Sequence, residues 1–485
     1  MKDLTGRALN IAQLRGASYA DIRIVTRLTQ RIAVKNGRVE ALEQDESQGF
    51  GVRVIASGAW GFASSSRLEP LEVERVVTQA VAIAKASALT KTQDVSIGTP
   101  VAVKEASYVT PIKVDPFTVP MSQKIDLLIK ADEEMRRVKG VRVARSEMAF
   151  LRENKIFAST EGSLIDQEIV ESGCGMVALA TDPSSGEVQV RSYPNSVGRH
   201  QQTRGYEFIL DQKLVENALR VGEEAVALLT AEQCPSYDAT TIILDSSQLA
   251  LQIHESCGHP IELDRVLGSE AAYAGTSFLT PEKLGKFRYG SEVVNITADA
   301  TIPGALGTFG FDDEGAPAQK TDIVKSGLFV GYLTSRETAR QLGLGASNGT
   351  MRADGWSRPP IIRMTNINLL PGAWEVKDLI ADTDDGIWME TNRSWSIDDR
   401  RLNFQFGTEI AWKIKGGKKT RMLKNATYTG ITPQFWGSCD AVCNDKSWIV
   451  WGTPNCGKGQ PPQVAHTGHG AAPARFRNVR VGVIK

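Results

Sequence analysis

The sequence predicts an α+β protein of two domains: an N-terminal α+β domain with an antiparallel meander over residues 1–235, and a C-terminal β-rich catalytic domain over 236–485. Three observations lead there. Short apolar segments punctuated by Asn36-Gly37 and Ser57-Gly58 are hairpin signals near the start of the chain. Longer stretches in the first half repeat apolar residues at helical spacing. Eight of the nine tryptophans fall between Trp356 and Trp451, in a second half where helical patterning is scarce and strand patterning common.

Taken in order, residues 4–14 read as a short amphipathic helix, and strands follow at 20–33, 39–43, 49–56 and 59–63. Residues 72–86 carry Val73, Val76, Val77, Ala80 and Ala84 near helical spacing, so a helix is expected across one face of the meander. Residues 90–119 are rich in β-branched side chains and include Pro100, Pro111 and Pro116, which reads as extended linking structure. A second helix is expected over 121–138, strands over 141–180, a polar loop over 181–203, and a helix over 211–229. The pattern breaks at Gln233-Cys234-Pro235-Ser236, where the domain boundary is placed. Beyond it, 240–244 reads as a buried strand, Asp245, Ser246 and Ser247 as N-caps, and 248–257 as a helix carrying Leu249, Leu251 and Ile253. Strands are expected at 387–391, 402–415 and 418–428, with Gly416-Gly417 as a tight turn. The tryptophans are expected in the core rather than stacked on a ligand.

A chain of 485 residues is too long for one ordinary core. Lys plus Arg and Asp plus Glu both total 56, so there is no electrostatic case for nucleic acid or an anionic membrane as a partner. The opening Met1-Lys2-Asp3-Leu4 lacks the apolar core of a secretory signal, and no apolar run is long enough to span a bilayer. A cytoplasmic protein is expected. Six cysteines, at 174, 234, 257, 439, 443 and 456, suit free thiols or ligands better than a disulfide framework.

The chemistry concentrates in His254-Glu255-Ser256-Cys257-Gly258-His259. Two neutral imidazoles can hold a divalent metal, a third protein ligand leaves a position for water, and a carboxylate can take that water's proton. Chance produces such an H-E-x-x-x-H match on the order of a few times per thousand chains, so coincidence is a poor explanation. The spacing differs from the familiar i, i+4 pair. On a regular α-helix residues five apart diverge by about 140°, so both rings reach one ion only if the helix loosens or ends between them. Gly258 and Pro260 point to an ending, with His259 pushed toward extended geometry on a frayed last turn.

For a third ligand the chain offers Cys257 on nearly the same helix face, and Cys439, Cys443, Cys456, His466 and His469 farther on. Cys257 would crowd the pair. Cys456, in Thr453-Pro454-Asn455-Cys456-Gly457-Lys458-Gly459, has small neighbours and a nearby lysine that suit an exposed thiolate, and this context favours it. The same loop matches most of a phosphate-binding P-loop. It fails because Gly459 stands where Ser or Thr is needed and Pro461-Pro462 where a helix should begin.

Together with Asp312-Asp313-Glu314-Gly315, Tyr332-Leu333-Thr334 and the closing Ala474-Arg475-Phe476-Arg477-Asn478-Val479, these segments resemble the TldD/PmbA family of metallopeptidases along essentially the whole chain. The resemblance implies a TldD-type subunit in which His254, His259 and Cys456 bind Zn2+ and Glu255 is the general base. It also implies a homodimer, or a heterodimer with a PmbA-type subunit, whose enclosed cleft admits unfolded peptide. On that reading Glu255 takes a proton from water and returns it to the leaving amine, while His469, His466 and Tyr332 are candidate oxyanion donors. Asp313 and Glu314 are candidates to anchor a substrate amine or orient an imidazole. Peptide is expected to pair with an exposed strand edge. The rival reading is a non-catalytic subunit or binding module whose metal is structural, which needs a fourth ligand such as Cys257, Cys439 or Cys443.

Overall fold

The computed structural model describes residues 1–482 apart from 102, 197 and 198, and those three positions fall within the segments read above as linker and polar loop. Its first half is built on an eight-stranded sheet whose long central strands are Tyr19–Lys35, Arg38–Ala56, Val141–Ser159 and Leu164–Thr181, all antiparallel. The two hairpin dipeptides form as expected: Asn36 and Gly37 have φ of 49° and 76°, and Ser57 and Gly58 have 53° and 73°. Left-handed pairs of this kind match the twist of the flanking strands.

Two expectations change here. The strand pieces at 39–43 and 49–56 are one strand, Arg38–Ala56, because its polar middle lies exposed yet stays bonded to the neighbouring strand. The segment 181–203, expected as loop, contains Val188–Tyr193 and His200–Gln202, both paired with Leu164–Thr181. Backbone pairing to a long strand already in place does not need apolar alternation.

Helices Lys2–Leu14 and Pro70–Ser87 cover one region of the sheet through Ala8, Ala12, Val73, Val77 and Ala80. Gly61 permits this closeness, since a Cβ there would lie 2.1 Å from the Ala80 carbonyl oxygen. Helices Met121–Arg136 and Leu214–Thr230 cover another through Leu128, Met135, Ala218 and Val221. The helix expected over 211–229 is broken at its start, where Lys213 has φ of 49°.

In the second half, Tyr237–Leu244 runs parallel to Asp385–Ile397 and antiparallel to Ala474–Val481. Pairing continues through Thr427–Ile431 and Asn403–Lys415 back to Asp385–Ile397, so five strands close on themselves. Among the described residues, helix after His259 is confined to short pieces such as Leu263–Val266, Arg336–Gln341 and Val376–Ala381. Gly416-Gly417 makes the expected turn, with φ of 54° and 70°. Trp388, Trp436 and Trp451 are buried, while Trp395 is 53% exposed. Among the described residues no helix is long and apolar enough to cross a membrane.

Buried charges tie the halves together. Asp313 meets Lys155 at 2.9 Å and Arg23 at 3.5 Å, and Glu314 meets Arg53 at 3.4 Å. His200 belongs to the same seam: its Nδ1 accepts from the Gly452 amide at 3.2 Å, and its ring packs against Trp451 and Phe208. Burial, with Arg204 adding to it, lowers its pKa to about 3. A histidine kept neutral in the fold but free to protonate when unfolded makes stability fall as pH drops from about 6.5 toward that folded value. Between pH 8 and pH 5 this one group should cost about 2 kcal/mol. Urea midpoints at the two pH values should fall in the wild type and fall less in His200→Gln; equal pH dependence would refute the assignment.

Candidate metal centre

The centre begins at the end of Tyr237–Leu244. Asp245 caps helix Ser246–Ile253 by accepting from the Ser247 amide, and Leu249 and Ile253 sink into the C-terminal core. The helix then neither frays nor stops. Residues His254–Gly258 form a π-turn in which the His259 amide donates to the His254 carbonyl, five residues back. A turn widened by one residue places i and i+5 on one side, which a regular α-helix cannot do. His259, expected in extended geometry, is helical at φ −64° and ψ −41°, and Pro260 sits in the short 3-10 turn His259–Ile261, where its missing N–H is tolerated.

Neighbours hold the widened turn. The Tyr289 hydroxyl donates to the Ser256 carbonyl at 2.9 Å, and the Trp436 indole donates to the Ser256 hydroxyl at 2.9 Å. Gly258 lies against Met364, whose Sδ would stand 2.1 Å from an added Cβ.

The third member arrives on a hairpin of strands Ile449–Lys458 and Gln463–Ala471. Thr453 pairs with Thr467 but Cys456 pairs with Ala465, so one extra residue is inserted at Pro454-Asn455. Cross-strand partners share a face, and this bulge turns the Cys456 side chain to the same face as His469. Cys456 is therefore on a strand and buried, not on the exposed loop expected of it. Lys458 is also buried; its Nζ meets Asp264 at 2.7 Å and the Ile362 carbonyl at 2.7 Å, so it contributes no exposed charge.

Ligand-capable atoms of His254, His259 and Cys456 all lie within 4.8 Å of one another, the Cys456 sulfur being 3.8 Å from His259 Nε2. His259 Nδ1 lies 2.9 Å from Glu262, which orients the ring with Nε2 toward the sulfur. His254 Nδ1 lies 2.7 Å from His469 Nε2. Glu255, also buried, is held at 2.6 Å by Arg401 Nη1.

The electrostatics follow from this packing. Burial alone pushes the Glu255 carboxyl up, but His254, His259 and Arg401 outweigh it and hold it below its ordinary value. Burial also pushes the Cys456 thiol up, and Arg363 with His259 more than reverse that. Glu262 is depressed in the same way, chiefly by Lys458 and His259 acting against burial. His254 and His469 are lowered by burial first. Neutral imidazoles and an acidified thiol are the donor forms a metal takes.

The other candidates lie elsewhere or are already engaged. The His469 nitrogen facing the site is spent on His254 and Thr467. The Tyr332 hydroxyl donates to the Leu279 carbonyl at 2.7 Å in the core. Glu314 belongs to the seam with Arg53 and accepts from the Arg336 amide. His466 points to the opposite face of the hairpin, 2.5 Å from Glu171, into a cavity of 470 Å³ that also has Arg352 and Phe309 on its walls. That cavity is not lined by His254, Glu255, His259 or Cys456. Cys257 is buried beside Tyr289 with its thiol pushed up to about 12, and Cys439 faces the Ala441 carbonyl. Among the described residues the ligand group thus has three members. Sequence reasoning missed Glu262 and Arg401. Glu262 had a signal, a carboxylate three positions after His259, whereas Arg401 lies 146 residues from Glu255 and had none.

The chain matches the PmbA/TldA metallopeptidase C-terminal domain over residues 238–483, domain 1 over 20–84 and the central domain over 114–231. It belongs to the PmbA/TldD metallopeptidase family. A metalloprotease of Methanocaldococcus jannaschii is 32% identical over 438 residues, covering 89% of this chain and 91% of that one. A zinc metalloprotease TldD homolog of Saccharolobus solfataricus is 21% identical over 440 residues, covering 90% of each. The solved structure of TldE from Thermococcus kodakarensis shares the fold, with a TM-score of 0.74 at 15% identity over 99% of this chain and 100% of that one. The family expected from the H-E-x-x-x-H segment is the one found, and the chain is a PmbA/TldD metallopeptidase with a mixed α/β, multi-domain architecture.

The contact between Gly258 and Met364 gives this PmbA/TldD centre a test of its packing. Gly258→Ala should cost about 1–3 kcal/mol by overpacking. Combining it with Met364→Ala should cost less than the sum of the two single changes, and strict additivity in urea unfolding would rule the contact out as the cause.

Proposed function

We propose that the chain is a zinc-dependent peptidase acting on unfolded or partly degraded polypeptide, with His254, His259 and Cys456 as metal ligands and Glu255 as general base. The observation carrying this is the convergence of those three ligand atoms within 4.8 Å, from segments about 200 residues apart, beside a buried carboxylate. Two imidazoles and a thiolate suit zinc by ligand softness, and the Saccharolobus relative is named for that metal. When bound, zinc supplies a Lewis acid and makes water more acidic.

The protein's own groups do the rest. Glu262 fixes the His259 ring, and Arg363 and His259 keep Cys456 acidic. Glu255, ionised, accepts the proton of the attacking water and returns it to the departing amine. Burial of all four groups supports an extended, unfolded substrate, since a folded surface cannot carry a backbone carbonyl down to them. Assembly as a dimer, with a second copy or with a PmbA-type subunit, is part of the same proposal.

Zinc-loaded wild type should cleave an unstructured peptide mixture, read by mass spectrometry, and Glu255→Gln should retain zinc but lose cleavage. Cleavage surviving in that variant would remove Glu255 from its role. For the ligands, Cys456→Ala should lose stoichiometric zinc, and Glu262→Gln should bind it about 10–100-fold more weakly, as expected when a carboxylate supporting a ligand histidine is removed. Unchanged zinc content in Cys456→Ala would sink the ligand set.

A further inference from the structure

Four guanidinium groups act on the cluster, those of Arg265, Arg352, Arg363 and Arg401, and they differ in how their terminal nitrogens are engaged. Arg265 and Arg363 have 1% exposure each, Arg265 spent on Glu270 and the Ala274 carbonyl, Arg363 on the carbonyls of Gln463 and Cys456, while both terminal nitrogens of Arg352 donate to the carbonyls of His466 and Met364. Arg401 has a side chain 16% exposed and one terminal nitrogen on Glu255 at 2.6 Å, while its Nε, like those of Arg265, Arg352 and Arg363, is buried with no partner. Among the described residues it is thus the guanidinium bonded to the general base, and its terminal end is the part that is open to solvent.

Its backbone is also held in a conformation that favours glycine. Arg401 has φ of 63° in the connection between strands Asp385–Ile397 and Asn403–Lys415. Non-glycine residues persist there when the surroundings over-determine them, often at functional positions. The surroundings do so: the Arg401 amide donates to the Asp398 carbonyl, the Thr432 hydroxyl donates to the Arg401 carbonyl, and the Phe278 amide ties down the Arg400 carbonyl. The guanidinium is therefore presented from a fixed base.

We propose that Arg401 receives the free C-terminal carboxylate of the substrate, so that the centre removes residues from carboxyl ends. This rests on the peptidase reading above and adds a specificity to it. In hydrolysis the water oxygen joins the acyl carbon, the C–N bond breaks, and Glu255 hands a proton to the departing nitrogen. If the departing residue is C-terminal, its carboxylate oxygens lie roughly 3 Å from that nitrogen by bond lengths alone. A guanidinium in contact with Glu255 is then within reach of them, and its planar fork suits a carboxylate. The products are a shortened chain and one free amino acid.

The test uses the full-length zinc enzyme and matched peptides differing only in a free-acid or amidated C terminus, with wild type, Arg401→Gln and Arg401→Lys. Wild type should release single C-terminal residues from the acids, with a KM at least tenfold lower than for the amides. Arg401→Gln should erase that difference, and Arg401→Lys should keep part of it. Equal handling of acid and amide by wild type, or internal cuts alone, overturns the proposal. So does an equal loss of kcat on both in Arg401→Gln, which would assign the guanidinium to the scissile oxyanion or to Glu255. Calorimetry on the metal-free protein separates this from the peptidase reading. An N-acetyl dipeptide acid should bind at least tenfold more tightly than its amide, and only while Arg401 is present. Binding indifferent to the Arg401→Gln change overturns the docking role even where no peptide is cleaved; failure of every peptide to be cleaved with that binding intact tells against the peptidase alone.

Discussion

One backbone hydrogen bond, from the His259 amide to the His254 carbonyl, sets the geometry on which the centre depends. It closes a turn one residue wider than an α-helical turn, and so brings two imidazoles five residues apart onto the same side. The rest of the local sequence serves it. Gly258 lets Met364 lie against the widened turn, Tyr289 and Trp436 take the Ser256 groups, and Pro260 occupies a position where no amide is required. An i, i+4 spacing would need none of these, and the i, i+5 spacing needs a turn of this kind.

The second constraint is the bulge at Pro454-Asn455, which aims Cys456 at the pair. With Cys456 seated, the same strand carries Lys458 among Asp264, Glu262 and Glu270, on the side of the motif that orients His259. Buried charges are costly unless each finds a partner. Here they form a chain, Lys458 to Glu262 to His259, that spends the cost on holding a ring in one orientation. The opposite face of the hairpin meets the N-terminal sheet through His466 and Glu171, so the strand pair also belongs to the seam between the halves.

Much of the architecture was legible beforehand for a physical reason. Left-handed dipeptides such as Asn36-Gly37 and Gly416-Gly417 and apolar residues at helical spacing such as Val73, Val77 and Ala80 are local signals, and each formed what it announced. Strands without such a signal were missed. Val188–Tyr193 and His200–Gln202 are held by pairing with Leu164–Thr181, and both are short pieces set in a polar stretch that reads as loop. At the centre, His254, Glu255 and His259 were legible because they are adjacent in sequence, and Cys456 from its setting and family resemblance. The exposure expected of Cys456 and the roles expected of Tyr332 and Glu314 did not follow the packing: that sulfur is sealed, that hydroxyl belongs to Leu279, and that carboxylate belongs to Arg53.

What the sequence by itself determined is the mixed α/β class, the family, and the residue types that converge, since these rest on short-range patterns and on composition. Tertiary structure alone decided that the helix widens at His254 rather than ending after Gly258, because that choice is made by Met364, Tyr289 and Trp436 from distant segments. It alone decided that Arg401 stands against Glu255, because the two are brought together only when the strands around residue 400 close on the motif helix. Local spacing names the chemistry, and the contacts across long sequence separations orient it.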